Sequence, residues 1–331
     1  MSFLGKKKSK KPTRLFFATD IHGSERTYRK FINAGKFYEA NAIVMGGDIS
    51  GKLLIPIIRE GNGSHRATVQ GTVQHFSTEE ELKQLQERLG LLGFYWQVMD
   101  EDEYKVLAAD HAKVDTLFHA LARKRLTEWI DIAETRLKGT GIRCFVTGGN
   151  DDDPEVLDAI KDANHESFLA CEAKVVPIDE EHCMASVGFS NPTPWKTPRE
   201  IPDEQLAEII EGMCAQISDF QHAIFNFHVP PIDSTLDLCP KLDWTVDPPA
   251  PIVSGGQIVF AGAGSPSVRK AIEKYQPMLG LHGHIHESQG MVKIGRTTCI
   301  NPGSEYGEGI LRGALVTFAD GVVEGFQMTS G

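Results

Sequence analysis

No stretch of this chain comes near the roughly 18 uncharged apolar residues that a membrane helix needs. The chain opens Met1-Ser2-Phe3-Leu4-Gly5 and runs into the basic Lys6–Lys11 segment with no apolar run behind it, so a signal peptide is not expected. Cysteine is sparse. The six cysteines (Cys144, Cys171, Cys183, Cys214, Cys239 and Cys299) lie far apart with no C-x-x-C pair, which excludes a zinc ribbon and a dense disulfide framework. A reducing cytoplasm is the simplest compartment. Positive charge is also short: 34 Lys+Arg against 45 Asp+Glu leave a net charge of −11 over 331 residues, so a nucleic-acid partner is not favoured and a groove for one would have to be local. Internal repeats and low-complexity segments are absent. With 41% hydrophobic residues the composition is that of a globular protein.

What is present is a recurring shape. Leu15–Ala18 is a brief apolar strand that stops at Thr19-Asp20-Ile21-His22-Gly23. The shape returns four times: Ala42–Met45 runs into Gly46-Gly47-Asp48, Cys144–Thr147 into Gly148-Gly149-Asn150-Asp151, Ala223–Phe227 into His228, and Met278–Leu281 into His282-Gly283-His284-Ile285-His286. Helical patterns separate these strands, at residues 25–38, 154–163, 203–219 and 265–275, which points to an α/β core with parallel pairing. Asp152 or Asp153 can cap the second of these helices, and Pro154 suits its first turn. Hairpin patterns at 172–189, 291–300 and 314–326 add antiparallel strands.

Residues 51–140 separate the second and third junctions, too long a connection to lack structure. Ile55–Arg59 and Ala67–Phe76 read as a hairpin. Ser77–Glu81 offers a capping box to a helix ending near Leu89, and a long helix runs from about Asp110 to Leu137 with Val114, Leu117, Phe118 and Leu121 on one face. The expected organisation is a basic flexible tail (1–13), a core (14–50 and 141–331) and an inserted cap subdomain (51–140).

Asp20 and His22 are two apart, and in an extended chain they face the same side; His284 and His286 repeat the spacing. One such pair is more often an ordinary loop. Five ligand-bearing loops, each at the carboxyl end of an apolar strand, are expected to converge on one crevice.

The ordered set Asp20-Ile21-His22, Gly47-Asp48, Gly149-Asn150, His228 and Gly283-His284-Ile285-His286 resembles the calcineurin-like metallophosphoesterases, over residues 14–303 apart from the insert. The resemblance implies two mixed β-sheets packed as a sandwich with helices outside, a four-layer αββα fold. It implies a dinuclear centre in which Asp20, His22 and His286 bind one metal, Asn150, His228 and His284 the other, and Asp48 bridges both. Four imidazoles, an amide oxygen and two carboxylates suit Mn, Fe, Zn, Co or Ni better than Ca or Mg. Asp151 stands where many members carry a histidine that assists phosphoryl transfer, which tilts the expectation from monoesters toward diesters; for the residue itself, helix capping and an acid role remain open. The expected function is hydrolysis of a small phosphodiester or phosphomonoester by a metal-bridging hydroxide. Asp48, His228 and Asp151 are the expected catalytic side chains, and Asn150, Asn191 and Arg199 the expected substrate contacts. A nuclease and a catalytically silent scaffold are the rival readings. His282 is expected beside the site rather than in it, Asn301–Ser304 to turn back toward it, and the other histidines (His65, His75, His111, His119, His165, His182 and His222) to lie at the surface or in the core. The oligomeric state is not legible.

Overall fold

Alternation along each strand divides the core. In the computed structural model, which describes residues 11–61, 63–161, 163, 165–246 and 249–331, strand β1 (Thr13–Ala18) sends Phe16 and Ala18 to one apolar cluster and Leu15 and Phe17 to another on its opposite face. All but the last residue of the Lys6–Lys11 run lies outside the described residues. The chain continues through α1 (Glu25–Phe37), β2 (Ala42–Met45), β3 (Leu54–Arg59), β4 (His65–Val69), β5 (Thr72–Phe76), α2 (Glu79–Leu91), β6 (Tyr95–Met99), α3 (Glu101–Ala108) and α4 (His111–Leu137). Next come β7 (Arg143–Val146), α5 (Pro154–Lys161), β8 (Phe168–Ala170), β9 (Val175–Pro177), β10 (Cys183–Val187), α6 (Asp203–Cys214) and β11 (Ala223–Phe227). Short pairing segments follow: β12 (Leu238–Pro240), β13 (Leu242–Asp243), β14 (Ala250–Pro251), β15 (Val253–Ser254), β16 (Gln257–Ile258) and β17 (Phe260–Gly262). The last elements are α7 (Pro266–Tyr275), β18 (Leu279–Leu281), β19 (Gly290–Ile294), β20 (Thr297–Asn301), β21 (Arg312–Ala319) and β22 (Val322–Ser330).

Two six-stranded mixed sheets form the sandwich, in the orders β22-β21-β1-β2-β7-β8 and β19-β20-β18-β11-β10-β9. Their facing sides meet in one cluster, with Leu15, Phe17, Val44 and Phe145 from the first sheet against Met184, Ile224, Leu279 and Ile300 from the second. The outer face of the first sheet is covered by α1, α4 and α5, and that of the second by α6 and α7. This is the four-layer αββα arrangement. Within each sheet the strands that carry the candidate loops run parallel, β1 with β2, β2 with β7, and β11 with β18, so their carboxyl ends open on the same edge.

Between β2 and β7 the chain builds a separate four-stranded sheet, β5-β4-β3-β6, with its own apolar cluster around Ile57, Val69, Leu85 and Leu89. Residues 65–76 form a hairpin of their own, turning at Gln70-Gly71, and β6 pairs parallel with β3. The capping box at the start of α2 forms between Thr78 and Glu81. Helix α4 behaves differently from the sheet before it. Its second half buries Leu126, Trp129, Ile130, Ala133 and Leu137 in the cluster that also contains Phe16 and Phe31, and the Trp129 ring stacks on Tyr28 at 4.1 Å. The face read from Val114, Leu117, Phe118 and Leu121 is only partly buried.

Candidate metal centre

Backbone pairing past the strand ends assembles the site. The amides of Asp20, His22 and Gly23 donate to the carbonyls of Gly47, Asp48 and Ile49, so the loops after β1 and β2 run on side by side. The His228 amide donates to the Val187 carbonyl and the Gly283 amide to the His228 carbonyl, which joins the loops after β11 and β18. All five loops meet: Asp20, His22, Asp48, Asn150, His228, His284 and His286 form one cluster, buried except at His284 and His286, which are partly buried. Asp20 and His22 do not converge through extended backbone as their spacing suggested. Their φ angles are 54° and 40°, and Asp48 (51°) and His284 (68°) are left-handed as well. Each such residue costs about 1 kcal/mol or more, and strain of this kind concentrates at functional sites. Gly149 admits the close approach of two loops, since a Cβ there would lie 2.1 Å from Asp48 Oδ1.

Hydrogen bonds orient each donor. Asp20 accepts from Thr19 Oγ1 (2.7 Å) and from the His284 amide, and its carbonyl accepts from Ser304 Oγ (2.6 Å). The Asn301–Ser304 segment does turn back to the site. His228 Nδ1 lies 2.9 Å from the Gly46 carbonyl, which holds the proton on Nδ1 and leaves Nε2, 3.4 Å from Asp48 Oδ1, as the nitrogen that can face a cation. Asn150 donates from Nδ2 to Thr197 Oγ1 (2.8 Å), so its Oδ1 faces inward, 2.6 Å from His284 Nδ1 and 3.1 Å from His228 Nε2. Asp152, buried, accepts from the amides of Ile49, Ser50 and Gly149 and from Ser50 Oγ. It ties the Asp48 loop to the Asn150 loop and does not cap α5; Asp153 does, through the Glu155 amide.

The cluster fits a cation. His22 Nε2 and His286 Nε2 point at each other across 3.1 Å, with Asp20 Oδ1 3.3 Å from His286 Nε2 and Asp48 Oδ2 3.7 Å from His22 Nε2. Imidazole nitrogens that face each other among carboxylates are a donor set that a cation between them would satisfy. Three groups, Asp20-His22-His286, Asp20-Asp48-His228 and His22-Asp48-Asp151, each bring potential ligand atoms within 4.8 Å of one another, and these buried Asp and His groups can hold a metal ion.

Protonation follows the same geometry. Burial drives the imidazoles of His22 and His284 down, to about 3 and about 4, so both are neutral with lone pairs free at neutral pH. Burial also acts to lower His228, but the Asp48 and Asp20 carboxylates and the Gly46 carbonyl together outweigh it and raise His228 to about 9. Burial works to raise Asp20 and Asp48, yet the histidines around them hold both carboxyls well below the usual range. These opposed shifts describe carboxylates that favour a positive charge, a proton or a cation, at His228 Nε2.

Around this centre the remaining expected residues take distinct places. Asp151 does not cap a helix: its amide donates to Asp48 Oδ1 (2.9 Å), and its carboxylate pairs with Lys52 and lies 3.8 Å from His22 Nδ1. Burial and the Asp48 charge push its carboxyl up to about 6 against the pull of Lys52. Arg199 is buried with its guanidinium on the Gly149 carbonyl (2.9 Å) and Glu172, over the Phe189 ring. Its fork steadies the Asn150 loop. Asn191 is partly buried, and among the described residues its Oδ1 has no hydrogen-bond partner. His282 is buried with Nδ1 2.8 Å from the Phe227 carbonyl. Lys52, Asp152 and Tyr306, whose ring lies 4.7 Å from that of His22, were not singled out for the site from sequence. Lys52 and Tyr306 carry no motif, and Asp152 reads as a cap.

No family model matches this chain. An uncharacterized protein of Methanocaldococcus jannaschii, MJ1162, is 31% identical over 157 residues, covering 46% of this chain and 61% of that protein, less than two thirds of its length. One solved crystal structure is similar over 96% of this chain and 99% of its own, with a TM-score of 0.54 and 14% identity. That of TT1561 from Thermus thermophilus is similar over 93% and 99%, with a TM-score of 0.51 and 13% identity. At such identities the likeness is one of fold.

Proposed function

We propose that the protein is a metal-dependent phosphoesterase of the calcineurin-like kind, acting on phosphodiesters in preference to monoesters. The observation that carries this reading is the convergence of seven ligand-type side chains from five strand-end loops, with four of them in left-handed backbone. In this reading Asp20, His22 and His286 hold one divalent transition metal ion, Asn150, His228 and His284 a second, and Asp48 reaches both. When bound, the ions supply Lewis acidity toward a phosphoryl group and toward water. The chain's own residues do the rest. Asp48, fixed by the Asp151 amide, and His228, fixed by the Gly46 carbonyl, keep their donor atoms aimed without reorganisation. Asp151 holds its carboxylate on the Lys52 ammonium where many members of the resembled family carry an imidazole, so esters with poor leaving groups are expected to lose part of the roughly 10²–10⁴-fold that a general acid contributes.

The test is a screen of the metal-reconstituted protein against aryl and alkyl diesters, cyclic nucleotides, monoesters and single-stranded DNA. The reading expects aryl diesters to be hydrolysed fastest and alkyl monoesters slowest. Hydrolysis confined to DNA would replace it with a nuclease, and tight metal binding with no hydrolysis of any ester would replace it with a scaffold.

A further inference from the structure

The segment between β20 and β21 supplies none of the seven ligand-type side chains, yet it lays an aromatic ring against them. The Tyr306 ring lies 4.7 Å from that of His22, tilted by 52°, and 5.9 Å from that of His286, edge-on at 90°. It therefore walls the half of the cluster that Asp20, His22 and His286 form. The loop that carries it is pinned at several points. Ser304 donates from its amide to the His286 carbonyl (3.1 Å) and from Oγ to the Asp20 carbonyl (2.6 Å). Glu305 accepts both arms of the Arg312 guanidinium, at 2.9 and 2.6 Å, and its carbonyl accepts from the Ile310 amide (3.3 Å). Beyond the ring, Lys30 of α1 donates to the Gly309 carbonyl (2.8 Å). A side chain on so fixed a loop is held in place before any ligand arrives.

The hydroxyl is what a wall alone does not need. The buried tyrosines Tyr28 and Tyr95 both engage theirs, Tyr28 on the Trp129 carbonyl (2.6 Å) and Tyr95 with the Gly51 amide (2.9 Å), as enclosed phenols usually do. Tyr306 is partly buried, and among the described residues its hydroxyl has no hydrogen-bond partner. The charged groups that act on it are Lys52, Asp151, Asp20 and Asp48, which all belong to the metal centre and its rim, so the hydroxyl lies on the side of the site. A phenol is protonated at neutral pH and has one hydrogen bond to donate.

We propose that Tyr306 binds substrate: with its ring held against the imidazoles of His22 and His286, its hydroxyl donates a hydrogen bond to an oxygen of the substrate phosphoryl group. This rests on the phosphoesterase reading and adds to it a substrate contact from a loop outside the ligand set. Being neutral, the hydroxyl adds affinity for the anion without competing with a metal ion for the carboxylates.

The test titrates inorganic phosphate calorimetrically into the manganese-reconstituted wild type and Tyr306→Phe, with metal content and thermal midpoint measured on each. Phenylalanine keeps the ring on both imidazoles and deletes one hydroxyl, so metal content and midpoint should be unchanged. Phosphate should bind about ten- to hundredfold more weakly, the loss expected for one hydrogen bond to a charged group. The value of kcat/KM for bis(p-nitrophenyl) phosphate should fall by a similar factor. Phosphate bound by Tyr306→Phe as tightly as by the wild type would overturn the proposal, and so would loss of metal from Tyr306→Phe, which would make the hydroxyl a support of the metal site. A wild type that binds no phosphate would overturn it as well. A wild type that hydrolyses no ester, but whose phosphate affinity falls on Tyr306→Phe, would overturn the phosphoesterase reading and leave the contact standing. Diester hydrolysis by the wild type with equal phosphate affinity in Tyr306→Phe would do the reverse.

Discussion

Asp48 and Asp152 carry different burdens within a few ångströms of each other. Asp48 faces both halves of the cluster, so Asp48→Ala should reduce metal content and turnover by more than the roughly 10–100-fold that loss of a hydrogen-bond partner to a ligand costs. Elemental analysis and steady-state kinetics on the purified variant check it. Asp152 instead accepts from three amides and a hydroxyl in the interior. Asp152→Ala leaves them unpaired at about 1–3 kcal/mol each, before water or relaxation relieves any, and we expect a net loss of about 3 kcal/mol in denaturant unfolding. At this scale the five ligand-bearing loops were legible because each ends an apolar strand, and the set of seven ligands came with the family resemblance. Their local geometry was not: positive φ at Asp20 and His22 is imposed by the neighbouring β2 loop, which no spacing of two residues can encode. The Lys52–Asp151 pair joins positions about a hundred apart, and neither residue type announces it.

Among the elements, the sheet between β2 and β7 is bound to the centre by its backbone. Gly93, with φ of +82°, lies where a Cβ would sit 1.9 Å from the His22 carbonyl oxygen, so the turn before β6 presses directly on a ligand loop. Gly93→Ala should cost about 3 kcal/mol or more in unfolding free energy and weaken metal binding with it, whereas Gly61→Ala, with nothing within 4 Å, should change stability by less than about 1 kcal/mol. Arg125 on α4 makes a second tie, donating to the carbonyls of Gly23 (3.0 Å) and Phe94 (2.8 Å) beneath the Tyr95 ring. Arg125→Met should destabilise by about 2 kcal/mol, since two carbonyls lose charged donors. The strands and helices of the two main sheets were readable from short apolar runs bounded by caps and turns, and Pro154 and the Thr78–Glu81 box mark true helix starts. On α4, Phe118 and Leu121 of the expected stripe pack at the edge of the core, while its buried continuation includes Arg125 and alanines, which no hydrophobic pattern highlights.

At the scale of the molecule, two sheets meet with the loops of three strands from one and two from the other gathered at a shared edge. The site therefore exists only when the sandwich is closed, and a bound cation should stabilise the whole fold. At free metal a hundredfold above its dissociation constant the gain is about 2.7 kcal/mol, so chelation should lower the thermal midpoint by a few degrees in a calorimetric scan. Mixed parallel and antiparallel strands were legible from the patterns and the sandwich only through the family resemblance; which faces meet depends on alternation such as Leu15 and Phe17 against Phe16 and Ala18, visible only once strand partners are known. The most direct measurement of the central claim is metal stoichiometry: the chain is stripped with chelator, reconstituted with manganese, zinc or iron, freed of excess, and assayed for metal per mole. Seven donors in two groups predict about two ions per chain in the wild type and a marked drop in Asp48→Ala; only trace metal in the folded wild type after reconstitution with each of the three would contradict it.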